Sequence, residues 1–434
     1  MGDAARGRLP AALAEQAERI EGVARAAGLD FFDVVFELLD ARDVNGVAAY
    51  GGFPVRYPSW RHGMEFERLE KGYSWGLSKI YELVINNDPV YAYLVRSNSH
   101  LEQKLVMAHV FGHADFFKHN RWFAATDRHM LDTMGSHSTR VRRAIDAHGQ
   151  ETVERFLDQA LSIENLVDPY LPLREELRVG SAARAAEPDA LPTYDVLGFL
   201  CARAPLADWE LDILRIVRTE AYYFQPQRMT KIINEGWASF WHSRLLTGGI
   251  LDASEIVDFA DCHSAATLQT AGRLNPYKLG IELFRYAEET GQDLFRLRRV
   301  HDDASFIDEL VDEGFIERQQ MFVYGRNARS GRTELVDRDW RKVKARLLQD
   351  LAWGGLPQIE LVAVDPEGEL VLEHHHDGRD LQLAQARDTL LRLGAIWKGP
   401  VRLTTLEEGQ GRRLVCKDGE VEVDEVQGAQ PGKA

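Results

Sequence analysis

KIYELVINNDPVYAYLVRSNSHLEQKLVMAHVFGHADFFKHN, residues 79–120, decides how this chain is read. Its first part, 79–95, holds two runs rich in β-branched and aromatic residues on either side of Asn87-Asp88-Pro89, which predicts a hairpin. At Ser99 the pattern changes. Ser99 with Glu102 three residues on is a capping box, in which each side chain satisfies the other's backbone N–H, so a helix is expected from there to about Asn120. Within it His109 and His113 stand four apart. Four residues turn an α-helix by about 400°, so both imidazoles leave the same face and can share one ion. Glu102 and Asn120 fall on the same stripe.

Outward from this segment the chain reads mostly as helix. A helix over 10–27 ends at Gly28, and 45–64 (NGVAAYGGFPVRYPSWRHGM) reads as an ordered loop. Helices are predicted near 138–166, 207–224, 226–246, 254–272 and 277–291, with Pro226 at a helix start, and 172–206 as a loop or insertion. Near 350 the register changes. After a helix around 338–351, PQIELVAVD and GELVLEHH pair across Pro366-Glu367-Gly368, then a helix (LQLAQARDTLLRLGAIW) leads to the strands VRLTTL, RRLVC and EVEV. The expected fold is α+β: a mainly α-helical large domain, 1–350, with a short β hairpin or edge sheet, followed by a small α+β C-terminal module, 351–434.

The 434 residues carry 52 Lys+Arg against 68 Asp+Glu, a net charge of −16, and 45% are hydrophobic. That is enough apolar material for a sizeable core, and the acidic balance argues against a nucleic-acid partner, which needs a basic footprint. Cys201, Cys262 and Cys416 are far apart and form no Cys-x-x-Cys, so neither a disulfide framework nor a thiolate metal site is expected. No secretory leader and no run of 18 uncharged apolar residues is present, so no membrane span and a cytoplasmic location are expected. Phosphate-loop, dinucleotide and Gly-x-Ser-x-Gly signatures are absent.

The chemistry gathers on two segments. His109 and His113 match the ligand half of His-Glu-x-x-His, but Val110 stands where that motif has its general base. The second segment is KIINEGWASFWHSRLL, residues 231–246, whose crowd of Ile, Trp, Phe and Leu predicts a buried helix. Glu235 within it must be paired or hold a cation to offset desolvation. Its partner is either a metal or an arginine such as Arg228 in a buried polar network. His109, His113 and Glu235 make a His₂Glu set, which leaves a position for water on Zn²⁺. His242 shares Glu235's face, so Glu102 and His242 are the candidate bases, and Tyr222, Tyr223 and Tyr277 the candidate oxyanion donors. Asp115 and Asn120 are candidates for support or substrate contact, as is His263. His374-His375-His376 alternate faces of a strand and make a poor common site.

GLSKIYELVINNDPVYAYLVRSNSHLEQKLVMAHVFGHADFFKHN, TEAYYFQPQ, INEGWASFWH and LNPYKLGIELF together resemble the stage V sporulation protein R (SpoVR) family, over about Gly51 to Phe284. The resemblance implies a link to spore cortex formation, in a family that also occurs in bacteria that do not sporulate. Glu235-Gly236-Trp237-Ala238 further resembles the third-ligand helix of gluzincin-type metallopeptidases. That likeness implies a zincin-like fold with zinc on His109, His113 and Glu235. It also implies a peptide-like substrate laid along the 79–95 hairpin edge. The rival expectation is a non-catalytic scaffold that binds a peptide or a protein partner.

Overall fold

The expected hairpin is present, and it belongs to a sheet with a third strand. The structure is a computed structural model that describes residues 9–74, 82–179, 190–266, 275–321, 323–326, 333–337 and 339–426. The chain falls into two units, Met1–Ser138 with Met229–Leu348 and Thr139–Arg228 with Gln349–Ala434.

The first unit opens with α1 (Ala11–Ala26), followed by β1 (Val34–Leu39), α2 (Ala41–Ala49) and α3 (Trp60–Ser74). The last two cut into the stretch expected to be a loop: Gly51, Gly52, Pro54 and Pro58 fall between them, whereas Gly46 and Gly63 lie inside the helices and Val44 and Ala49 bury a helical face. β2 (Glu82–Ile85) and β3 (Val90–Val95) form the hairpin, in the strand order β1–β3–β2. β2 lies antiparallel to β3, with Ile85 opposite Tyr91; β1 lies parallel, with Val34 opposite Val90. Sequence reading missed β1. VVFELL lacks alternation and fully buries only Phe36, so its pairing comes from β3 rather than from its own pattern.

α4 (His100–His119) carries the capping box: the Glu102 N–H donates to Ser99 Oγ at 3.2 Å and the Ser99 N–H to the Glu102 carboxylate at 2.6 Å. α5 (Arg121–Ala124) and α6 (Met130–His148) follow. Gly149, at φ +85°, divides the helix expected over 138–166, and α7 (Gln150–Ser162) begins after it. The expected loop 172–206 contains α8 (Leu171–Val179) and α9 (Val196–Arg203), the latter capped by Asp195 and buried through Val196, Leu197, Phe199 and Leu200; 180–189 lie outside the described residues. α10 (Asp208–Met229) runs through Pro226, which therefore does not start a helix. The chain gives up one backbone bond there and breaks a turn later, at Thr230.

The first unit resumes with α11 (Lys231–Leu245), α12 (Ile256–Ala266), α13 (Pro276–Glu289), α14 (Leu294–Val300), α15 (Asp303–Leu310) and α16 (Glu313–Gln319). A hairpin, β4 (Val323–Arg326) with β5 (Thr333–Asp337), and α17 (Trp340–Leu351) follow. α4, α11 and α13 make the heart of this unit, and small residues set their approach. A Cβ on Gly112 would sit 2.7 Å from the Ala238 Cα, and one on Gly236 only 2.4 Å from the Gly280 carbonyl carbon. Thr230 makes no side-chain cap on α11. Asp303 of α15 supplies it instead, accepting the Ile232 and Ile233 N–H groups at 2.9 Å each. Burial pushes the Asp303 carboxyl up to about 8, against those bonds.

In the second unit β6 (Ile359–Val364), β7 (Leu370–His374), α18 (Leu383–Trp397), β8 (Val401–Glu407), β9 (Gln410–Lys417) and β10 (Glu420–Val426) build a five-stranded sheet, ordered β10–β9–β8–β7–β6. All pairs are antiparallel except β7–β8, which α18 connects. The architecture is thus α+β, mainly helical with small sheets. Among the described residues no helix is long and apolar enough to cross a membrane.

Candidate metal centre

α4 presents His109 and His113 on one face, as their spacing predicts, and α11 crosses it at the Gly112–Ala238 contact. That crossing brings Glu235 to both rings. Its Oε2 lies 3.4 Å from His109 Nε2 and 3.5 Å from His113 Nε2, and the three donor atoms all lie within 4.8 Å of one another. Both histidines are buried, while the Glu235 side chain is 19% exposed. Burial opposes ionisation of Glu235. The two imidazoles outweigh burial and hold the carboxyl far below the usual carboxylate range.

The spacing is informative because it is long for a hydrogen bond. N–H···O bonds cluster near 2.9–3.0 Å, and the buried Glu235 Oε2 meets no partner at hydrogen-bond geometry. Zn–N and Zn–O bonds of roughly 2.0–2.1 Å imply tetrahedral edges of roughly 3.3–3.4 Å between ligand atoms. Two of the three edges here have nearly that length. An octahedral facial triad with bonds of similar length would bring the atoms to roughly 3.0 Å. Two imidazoles and a carboxylate at this spacing are a donor set that could hold a divalent ion.

The other ring nitrogens are engaged. His109 Nδ1 lies 2.9 Å from His242 Nδ1, and His113 Nδ1 2.9 Å from Asn234 Oδ1. Tyr277, at the start of α13, lies nearly parallel to the His109 ring with centroids 6.2 Å apart. Asn234 was missed by sequence reading, although a buried amide beside the key carboxylate was a usable signal.

Several expected residues lie elsewhere. Glu102 spends its carboxylate in the capping box, two turns and roughly 10 Å before His109. Asp115 is fully buried on another face, where it accepts from Trp237 Nε1 at 2.9 Å and the Asp30 N–H at 2.9 Å and pairs with Arg298 at 3.0 Å. Burial pushes its carboxyl up and the Arg298 guanidinium down, and their attraction opposes both shifts. Asn120 ends α4, donating to the Arg298 and His301 carbonyls at 2.8 and 2.9 Å. Arg228, the rival partner for Glu235, donates to Asn165 instead. Tyr223 is buried on α10, among residues of the second unit. His263 falls on α12, and its side chain lies outside the described residues. His374, His375 and His376 turn to Thr405, Glu360 and Asp380 respectively.

The family described as SpoVR like protein matches residues 8–190 and 174–356. The chain belongs to the SpoVR-like family. Both matched stretches contribute to the triad, since the first carries His109 and His113 and the second Glu235. This SpoVR-like chain is also similar to the Uncharacterized protein YcgB of Escherichia coli (strain K12), 31% identical over 314 residues, or 61% of each chain. It thus spans about three fifths of that relative's length. No solved structure matches it.

Proposed function

We propose that this protein is a zinc-dependent hydrolase of an amide bond in a peptide or cell-wall-derived substrate, built on a zincin-like arrangement. The observation that carries the reading is Glu235 Oε2, buried without a partner at hydrogen-bond geometry and 3.4 and 3.5 Å from two imidazole nitrogens. The order of elements supports it, with an antiparallel edge strand, a central strand and the histidine helix in succession. β2 pairs only with β3 among the described residues, so an extended peptide can add to its outer edge. The cellular setting implied by the SpoVR resemblance would be spore cortex or cell-envelope processes.

His109, His113 and Glu235 would hold the ion, whose chemistry when bound is Lewis acidity toward a carbonyl and a lowered pKa of coordinated water, toward about 7. Tyr277, whose ring lies beside that of His109, would be the candidate donor to an oxyanion. Val110 is fully buried and supplies no proton acceptor, so turnover is expected to be slow. The test is metal content after purification without chelators. One equivalent of zinc is expected, lost in His109→Ala, His113→Ala and Glu235→Ala; a metal-free unmodified protein overturns the reading.

Val110 favours a second reading, a non-catalytic scaffold that binds a peptide or protein and acts as a regulator. A cavity of about 650 Å³ within the second unit, floored by Leu372, Leu390 and Leu403 and rimmed by Asp377 and Arg379, gives such a scaffold a further binding surface. Val110→Glu separates the two. A general base contributes about 10²–10⁴ in rate, so the variant is expected to raise turnover of any peptide the hydrolase cleaves. Activity arising from none marks a scaffold descended from an enzyme.

A further inference from the structure

We propose that His242 and Asn234 are positioning residues that set the tautomers of His109 and His113, and thereby decide which ring nitrogen is offered to an ion. The inference rests on the metal reading above. A neutral imidazole carries one proton, and the nitrogen that lacks it is the one that can ligate. Asn234 Oδ1 can only accept, so at 2.9 Å it places the His113 proton on Nδ1 and leaves the Nε2 lone pair facing Glu235. His109 Nδ1 and His242 Nδ1, 2.9 Å apart, must share a single proton. With that proton on His109, its Nε2 is free for an ion and His242 carries its own proton on Nε2. With the proton on His242, His109 turns an N–H toward Glu235 and the triad loses a ligand.

Burial makes these two contacts decisive. His109, His113, Asn234 and His242 are 4, 7, 8 and 3% exposed, so bulk water does not readily replace either partner. Asn234, Glu235 and His242 all belong to α11, so seating that helix on α4 delivers the third ligand and both tautomer-setting groups in one step. In the arrangement that frees both Nε2 atoms, the two groups accept through an amide oxygen and an imidazole nitrogen. A carboxylate in the same place raises ligand basicity, as in the usual carboxylate–histidine–zinc arrangement. Without a carboxylate in that position, a bound ion would keep more positive charge, which would suit a site whose helix lacks the customary base at Val110.

The probe is Zn²⁺ alone, competed against a chromophoric chelator, on the full chain. Asn234→Leu and His242→Leu are expected to bind 10- to 100-fold more weakly. Asn234→Asp is expected to bind at least as tightly as the unmodified protein, and His242→Gln, which keeps an accepting oxygen, to recover most of the loss. Melting of the zinc-free variants separates this from a purely structural role, which would lower stability without that rescue pattern. If the leucine variants do not fold, ¹⁵N shifts of the zinc-loaded unmodified protein read the tautomers directly, with Nδ1–H expected on both ligand rings. Leucine variants that hold Zn²⁺ as tightly as the unmodified protein, or rings ligating through Nδ1, overturn the inference while leaving the metal reading intact. Failure of the unmodified protein to bind Zn²⁺ overturns the metal reading on which it rests.

Discussion

At the scale of single residues, the division of labour along α4 and α11 follows from helical phase. His109 and His113 share one stripe and meet Glu235, whereas Asp115, two positions after His113, lies on another face and meets Trp237 and Arg298. That phase was legible in the sequence, because a spacing of four fixes direction without any knowledge of tertiary contacts. The partners were not legible. Arg298 lies 183 residues from Asp115, and Asn234 lies 121 from His113. The Asp115–Arg298 pair gives a sharp prediction, because both side chains are at most 5% exposed. Asp115→Asn leaves the guanidinium buried without its counter-charge and is expected to cost about 3–5 kcal/mol, while a paired Asp115→Asn/Arg298→Met change recovers most of that. Denaturant unfolding of the two single variants and the double variant measures the coupling. A single variant within about 0.5 kcal/mol of the unmodified protein would mean the pair is solvated and the buried anchor is wrongly drawn.

At the scale of elements, the strongest periodic signals were readable and the weakest were supplied by neighbours. α4 announced itself through a capping box, and the strands β6 to β10 through alternating runs separated by turn residues. β1 exists because β3 offers it a parallel edge, and α11 starts where it does because Asp303 caps it from another helix. Pro226 misled because a proline reads as a boundary, yet α10 tolerates it within the helix. Helix approach was equally hidden, since nothing local marks Gly236 as the point where α11 meets the backbone of α13. Gly236→Ala tests that contact. On an open helix face the change would stabilise by up to about 1 kcal/mol. With a Cβ only 2.4 Å from the Gly280 carbonyl carbon, the helices must separate, so a net loss of about 1–3 kcal/mol is expected. Glu235 is the adjoining residue, so Zn²⁺ affinity should fall with stability. A variant that melts at or above the unmodified protein's temperature would show that the approach is not tight.

At the scale of the whole molecule, the strands of 351–434 form one sheet with α18, as their alternation and turns suggested, but they cluster with Thr139–Arg228, a grouping that no local pattern encodes. The three donor atoms, Asn234 and His242 all belong to the other unit, Met1–Ser138 with Met229–Leu348. This separation has a thermodynamic consequence. An ion that binds only the folded triad stabilises that fold by RT ln(1 + [L]/Kd), about 2.7 kcal/mol at a hundredfold excess over Kd. For a unit of this size each kcal/mol raises the midpoint by about 2–4 °C, so several degrees are expected. Calorimetry of the full chain should therefore show a zinc-dependent transition and a second one that zinc leaves in place. Chelation should return the first to its lower temperature, and His113→Ala should hold it there at any zinc concentration. A single transition that zinc displaces would mean that the two units unfold as one. No displacement in the unmodified protein would mean that Glu235 and the two histidines do not hold the ion, because any ligand specific for the folded triad must raise the temperature at which that triad comes apart.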